Sequence, residues 1–190
     1  MHQNDSVQRN GQQQSHAAQR RSILTTTRLV VTTWLPEDVD ALHDLHSDPL
    51  TMRWVRKGRP ETRSETQDLL ATYRREQQAR GWTKWRVADA GSGQLVGRAG
   101  FGVSGDGREL GYTLSRQRWG QGLATEVARA LVQWHQDTAP EVPLAAIAAV
   151  DNVASQRVLD KAGFTPSGTI THNGMACVHY AWRQPLALDG

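Results

Sequence analysis

Two glycines one residue apart, set where a strand-like run becomes an apolar-periodic helix, constrain this chain more than any other feature. The run is Glu109 to Leu114. The turn is Gln117-Arg118-Trp119-Gly120-Gln121-Gly122-Leu123-Ala124-Thr125, and the helix runs from about Leu123 to His135. Glycines at such a junction leave backbone N–H groups bare at the positive end of the following helix. Donors and dipole then act together on an anion, no side chain blocks its approach, and a pyrophosphate suits the site. Alone, the spacing is a weak signal, because short glycine pairs are often only tight turns. Thr125 stands where a dinucleotide fingerprint has its third glycine, and no G-x-x-x-x-G-K-[ST] run exists, which excludes a nucleotide-triphosphatase P-loop.

The chain's 190 residues permit one domain with a sizeable core. Its net charge is +3, but Arg9, Arg20 and Arg21 against Asp5 place +2 of that within residues 1–24. The near-neutral remainder argues against a nucleic-acid partner. Cys177 is the single cysteine, so internal disulfides are impossible and a reducing cytoplasm is the expected compartment. No apolar run approaches the roughly 20 residues of a membrane span. Arg20-Arg21 is followed by Thr25-Thr26-Thr27-Arg28 rather than by an apolar segment, so neither export nor membrane association is expected.

Residues 1–24 are polar and read as a disordered tail, unable to bury enough surface to offset ordering entropy. A single domain is expected over 25–190. Arg28 to Trp34 alternates as a first strand, and Pro36 opens a helix whose stripe is Val39, Leu42, Leu45 and His46. His43 and His46, three apart on that helix, are compatible with a metal. Without a third ligand cluster they read as solvent-facing, and no metal is expected. Thr62 with Glu65 is a capping-box pattern opening a helix that Gly81 stops near Arg80. Three strands follow as a meander (Trp82 to Ala88, Gln94 to Val103, Arg108 to Leu114), then helix, strand (Leu144 to Val150), helix, and two final strands at about 165–172 and 176–184. The strand–helix–strand unit around Gly120 predicts a right-handed crossover between parallel neighbours.

A second block sharpens the first. After the strand to Val150 comes Asn152-x-x-Ser155-x-x-Val158-Leu159-x-Lys161-x-Gly163-Phe164, with Asn152 suited to cap a helix and Gly163 to end it. Read alone, it is a well-capped amphipathic helix. Together with Glu109-Leu110-Gly111-Tyr112-Thr113-Leu114 and Trp119-Gly120-Gln121-Gly122-Leu123-Ala124-Thr125-Glu126, it resembles the GNAT superfamily of acetyl-CoA-dependent N-acetyltransferases. Within that superfamily the chain is most similar to the RimJ/RimL-like branch, which includes ribosomal-protein N-terminal acetyltransferases. The similarity covers roughly residues 27 to 185.

The resemblance implies an α/β (mixed α+β) fold: a mostly antiparallel twisted sheet with a central splayed parallel strand pair and helices on both faces. Acetyl-CoA would lie in the splay as cosubstrate. Its pantetheine arm would run beside Tyr112, Thr113 and Leu114 like an added strand. Its pyrophosphate would rest on the N–H groups of Arg118, Gly120, Gln121, Gly122, Leu123 and Ala124, with Gln117, Trp119 and Thr125 completing the loop and Arg118 adding a charged contact. Asn152 would hydrogen-bond the pantetheine.

Transfer to an amine needs a base for the amine proton, a donor to the oxyanion and a proton for the departing thiolate. Glu109 is the candidate base; its alternative is a strand carboxylate paired with a neighbouring arginine. A backbone N–H near Leu114 would polarise the carbonyl. Many GNAT enzymes place a tyrosine where this chain has Leu159, which cannot donate, so Ser155 is the candidate acid, against a plain first-turn capping role. Trp54, Arg56, Lys57 and Arg59 lie on the connection that borders the acceptor in such enzymes, and their charge would favour an acceptor with a negative group. Cys177 reads as a strand-packed thiol. The expected activity is acetyl transfer to a primary amine, either a protein N-terminus or a small molecule. Two alternatives stand beside it: a catalytically silent acyl-CoA sensor of the same fold, and a nucleotide-binding α/β protein. The resemblance allows a homodimer, which nothing in the chain specifies.

Overall fold

The computed structural model describes residues 19–183. In chain order the elements are β1 (Ser22–Thr25), β2 (Leu29–Thr32), a 3-10 turn (Pro36–Asp38) leading into α1 (Val39–Ser47), α2 (Pro49–Met52) and α3 (Arg63–Arg80). There follow β3 (Lys84–Asp89), β4 (Leu95–Ser104), β5 (Gly107–Leu114), a second 3-10 turn (Arg116–Arg118), α4 (Leu123–Thr138), β6 (Leu144–Ala149), α5 (Val153–Lys161), β7 (Phe164–His172) and β8 (Met175–Trp182). The longest helix is set by its ends. Thr62 Oγ1 accepts from the Glu65 N–H at 3.2 Å, Glu65 Oε2 accepts from the Thr62 N–H at 2.9 Å, and Gly81, at φ 77°, closes the far end in the left-handed region.

The eight strands form one sheet in the order β1-β2-β3-β4-β5-β6-β8-β7. Every neighbouring pair is antiparallel except β5 and β6, which α4 connects and which run parallel. This is the mixed α/β arrangement expected. Strand alternation divides the sheet between two helical layers. On one face Trp85 and Phe101 meet Trp134 and His135 of α4, and this cluster extends through Leu110, Ala146, Leu159 and Tyr180. On the other face a smaller cluster joins Trp34 to Leu42 and Leu45 of α1 and to Leu69, Leu70 and Tyr73 of α3. Arg98 on β4 points to that second layer, with its guanidinium over the Tyr73 ring and its Nε donating to His46.

Two expectations are corrected. The domain begins earlier than residue 25, because Ser22–Thr25 is an edge strand on β2. It pairs there from Ser22 opposite Thr32 to Thr25 opposite Val30, Ile23 and Leu24 pack on the core, and Arg20 grips Asp38 through two 2.8 Å contacts. Residues 1–18 of the expected tail, and 184–190 at the other end, lie outside the described residues.

The second correction concerns His46, which is fully buried rather than solvent-facing. Its Nε2 accepts from Arg98 Nε at 3.0 Å, so the ring must carry its proton on Nδ1 and donate to Glu61 Oε2 at 2.9 Å. Burial foremost, with help from Arg98, lowers its pKa, and the Glu61 bond only partly opposes this. Because the folded pKa is depressed, below pH 6.5 the unfolded chain binds a proton that the folded chain does not. This group's contribution is therefore full above pH 6.5 and is lost as the pH falls towards the folded pKa. Thermal midpoints are expected to drop between pH 7 and pH 5, and less so in His46→Gln. An equal drop in both proteins would contradict the assignment.

Candidate active site

β5 and β6 pair only from Arg108 opposite Leu144 to Leu110 opposite Ala146. Yet β5 continues to Leu114 and β6 to Ala149. Past the last pair the strands part, and a cavity of about 720 Å³ opens between them. The edge of β5 that faces it has no strand partner from Gly111 to Leu114. The first turns of α4 and α5 converge on the same opening, as is usual for ligand clefts beyond the carboxyl ends of parallel strands.

The glycine turn is open to that cleft. Gly120 and Gly122 have φ of 73° and 76°, a conformation that favours glycine. A Cβ at Gly120 would meet nothing within 4 Å, so it is conformation and not space that calls for glycine there. The Arg118 N–H donates to Ser115 O, the Trp119 N–H to Arg116 O, and the Glu126 N–H to Gly122 O. Between them, the N–H groups of Gly120, Gln121, Gly122, Leu123, Ala124 and Thr125 have no protein acceptor among the described residues. Six consecutive bare donors at a helix start make a nest for an anion. Arg118 is thereby corrected: its backbone N–H is occupied. Its guanidinium still borders the cleft, 3.7 Å from Asp89. Gln117 and Gln121 do not line the cavity; the Gln121 side chain donates from Nε2 to the Gln117 backbone carbonyl. Trp119 does line it, with its indole N–H on Leu114 O at 2.8 Å.

One positioning residue escaped the sequence reading. Arg28, at the β1–β2 turn, donates from Nε to Glu126 Oε2 at 2.7 Å and from Nη1 to Gln121 O at 2.8 Å. Thr26 Oγ1 and the Arg28 N–H fill the other Glu126 oxygen. Burial alone would raise the Glu126 pKa, but these contacts hold it below the ordinary value. The glycine turn and the first turn of α4 are thus tied to the sheet edge. The partners lie 93 and 98 residues apart in the chain, beyond the reach of local spacing.

Across the cleft Asn152 caps α5, its Oδ1 accepting from the Ser155 N–H at 3.2 Å. The Ser155 hydroxyl is therefore free of capping duty, and it lies 2.8 Å from the Tyr112 hydroxyl. Burial pushes the Tyr112 phenol up to about 12, with the Ser155 bond opposing, so it keeps its proton throughout the physiological range. Tyr112 was expected only to line the cofactor arm. The structure makes it half of a hydroxyl pair spanning β5 and α5.

Glu109 is half-buried on β5 and borders both the main cleft and a smaller adjoining cavity of about 160 Å³. Its alternative reading required an arginine partner. Arg56 is committed to Glu61, Arg86 to Asp38 and Arg98 to His46, and Glu109 has no ion pair among the described residues. Trp54 borders both cavities and Arg56 the smaller one. Arg59 does not reach either. It folds back on Glu65 at 2.7 Å, where Lys57 also pairs, because the capping carboxylate of α3 is the nearest anion. Cys177 is buried on β8 as expected, and burial raises its thiol pKa. Among the described residues no group of three metal-ligating side chains occurs, and no helix is long and apolar enough to cross a membrane.

A family model described as an acetyltransferase (GNAT) domain matches residues 28–165. The chain belongs to the GNAT acetyltransferase family. All three sequence blocks of the resemblance fall inside that match. The uncharacterized N-acetyltransferase YoaA of Bacillus subtilis (strain 168) is 24% identical over 151 residues, covering 78% of this chain and 85% of that one. Among solved structures, an acetyltransferase from Agrobacterium tumefaciens str. C58 shares the GNAT fold at a TM-score of 0.73, with 23% identity over 86% of this chain and 95% of that one. RimL, a ribosomal L7/L12 alpha-N-protein acetyltransferase solved with coenzyme A, also has a TM-score of 0.73, with 21% identity over 85% of this chain and 97% of its own. The fold agrees with that of the RimJ/RimL-like branch.

Proposed function

We propose that this GNAT domain transfers the acetyl group of acetyl-CoA to a primary amine by direct attack in a ternary complex. The observation that carries the reading is the run of unpaired N–H groups from Gly120 to Thr125, of which the residues Gly120, Gly122, Leu123, Ala124 and Thr125 line a slot bordered by Glu109. The neighbouring RimL structure contains coenzyme A, which supports this choice of cosubstrate.

Acetyl-CoA supplies the acetyl group activated as a thioester. The Gly120–Thr125 donors hold the diphosphate, and the edge of β5 from Gly111 to Leu114, which lacks a strand partner and has only the Leu114 carbonyl taken by Trp119, orients the pantetheine arm by backbone hydrogen bonds. Glu109, directly or through a water, takes a proton from the acceptor ammonium. The freed nitrogen forms a bond to the carbonyl carbon, and the carbon–sulfur bond breaks. The Tyr112–Ser155 pair delivers a proton to the departing sulfur and regains one through solvent as the acylated nitrogen sheds its second proton, so the products are an N-acetyl amine and coenzyme A thiol, with the ammonium's first proton left on Glu109.

The test combines two assays. Coenzyme A is expected to raise the melting temperature well above any effect of NAD or ATP. Thiol release from acetyl-CoA is expected with at least one member of an amine panel. Preference for NAD or ATP would contradict the proposal at the cleft. Coenzyme A binding without turnover on any amine would leave a silent acyl-CoA-binding domain.

A further inference from the structure

The smaller cavity contains an electrostatic arrangement that acetyl transfer does not use. Lys84 (β3), Arg98 (β4) and Arg56 (the segment after α2) all line it, opposite Glu109. Arg98 is 3% exposed. Its Nε is committed to His46, while neither of its terminal nitrogens has a protein acceptor among the described residues. Lys84 is half-buried and lies flat over two glycines: a Cβ at Gly111 would come within 2.9 Å of its Cε and 3.3 Å of its Nζ, and a Cβ at Gly102 within 3.5 Å of Nζ. Glycine at Gly111 thus makes room for the ammonium, which has no hydrogen-bond or ion-pair partner among the described residues.

Lys84 and Arg98 therefore line the floor of a pocket whose one unpaired carboxylate, Glu109, leaves them in excess, an arrangement that costs stability. Burial first, then the Arg98 charge, lowers the Lys84 pKa to about 8, with Glu109 and Glu76 acting the other way. The third cation is held by a dedicated chain. Arg98 donates to His46, His46 donates to Glu61, and Glu61 accepts from Arg56, whose backbone is fixed at φ 53°. Holding a non-glycine residue in that region is strain that the surroundings must sustain. The chain couples Arg56 to Arg98 across the pocket.

Resting on the acetyl-transfer reading, we propose that this pocket is a carboxylate subsite, so that the acceptor is an amine bearing a carboxylate, with its ammonium towards Glu109 and its carboxylate on Lys84 and Arg98, flanked by Arg56. A carboxylate suits the mixed wall better than a dianionic phosphate, which Glu109 would repel about twice as strongly. Recognition of a negative group is thereby assigned to the sheet floor and not to the exposed 57–59 loop.

Lys84→Met is the deciding variant, read in two ways. Removing an unpartnered ammonium from beside Arg98 is expected to raise the melting temperature at pH 7. A fall would mean that Lys84 serves as a structural partner of Glu109 and would overturn the proposal. Separately, common amino acids, each paired with its carboxamide, are titrated into the coenzyme A-saturated protein to read binding and, in a second assay, supplied with acetyl-CoA to read turnover. Wild type is expected to prefer at least one carboxylate over its amide by about tenfold to a hundredfold. Lys84→Met is expected to lose that preference through KM while binding coenzyme A unchanged. Absence of a preference, or its survival in the variant, contradicts the subsite. The titration reads binding without turnover, so failure of acetyl transfer and failure of the subsite remain distinguishable.

Discussion

Glu109→Gln is expected to lower kcat by about 10²–10⁴-fold at neutral pH, the usual scale for loss of a positioned general base. The acetyl-CoA KM should change little, because the glutamate borders the cleft on its acceptor side and not at the glycine turn. The substitution keeps size and hydrogen-bonding capacity but cannot take a proton. The deficit should shrink as the pH rises, since a growing fraction of the amine then loses its proton to solvent unaided. A deficit of the same size at pH 7 and pH 10 would mean that Glu109 positions the acceptor without deprotonating it. Turnover unaffected at neutral pH would remove the residue from the mechanism.

Gly122→Val is expected to weaken acetyl-CoA binding by about tenfold to a hundredfold, with kcat at saturation largely preserved. At φ 76° a β-branched residue is strained whatever the surrounding space, and the strain of about 1–3 kcal/mol is relieved only by turning the loop out of its present form. That rearrangement disperses the bare N–H groups on either side of position 122. The Arg28 and Thr26 contacts to Glu126 hold the first turn of α4 without help from the Gln121 carbonyl, so the helix and the overall stability should survive. Titration of acetyl-CoA, with far-ultraviolet circular dichroism as the control, checks both parts. Unchanged affinity in a folded variant would show that the turn does not grip the diphosphate.

Much of the fold follows from short-range chemistry. The Thr62–Glu65 box, Gly81 and the Asn152 cap announce helix ends within a few residues, and alternation marks β3, β4 and β5. The glycine turn is equally local, since what matters there is backbone conformation. β1 was not legible because its only apolar residues are Ile23 and Leu24, and it is a strand by virtue of pairing with β2. His46 was misread because its neighbours in the helix do not reveal Arg98, 52 residues away, or Glu61 beneath it. Arg59 was placed at the acceptor from its position in a basic loop, while the nearest carboxylate, Glu65, drew it off. Lys84 and Arg98 join Glu109 and Gly111 on one face only through the register of β3, β4 and β5, which local spacing does not reveal.

The most direct measurement is a crystal structure of the chain with coenzyme A. Diphosphate oxygens should lie within hydrogen-bond distance of N–H groups between Gly120 and Thr125, with the pantetheine arm along Gly111 to Leu114 and the sulfur near the Tyr112 and Ser155 hydroxyls. A ligand bound anywhere else, or a diphosphate held by side chains with those six amides still bare, would contradict the central claim.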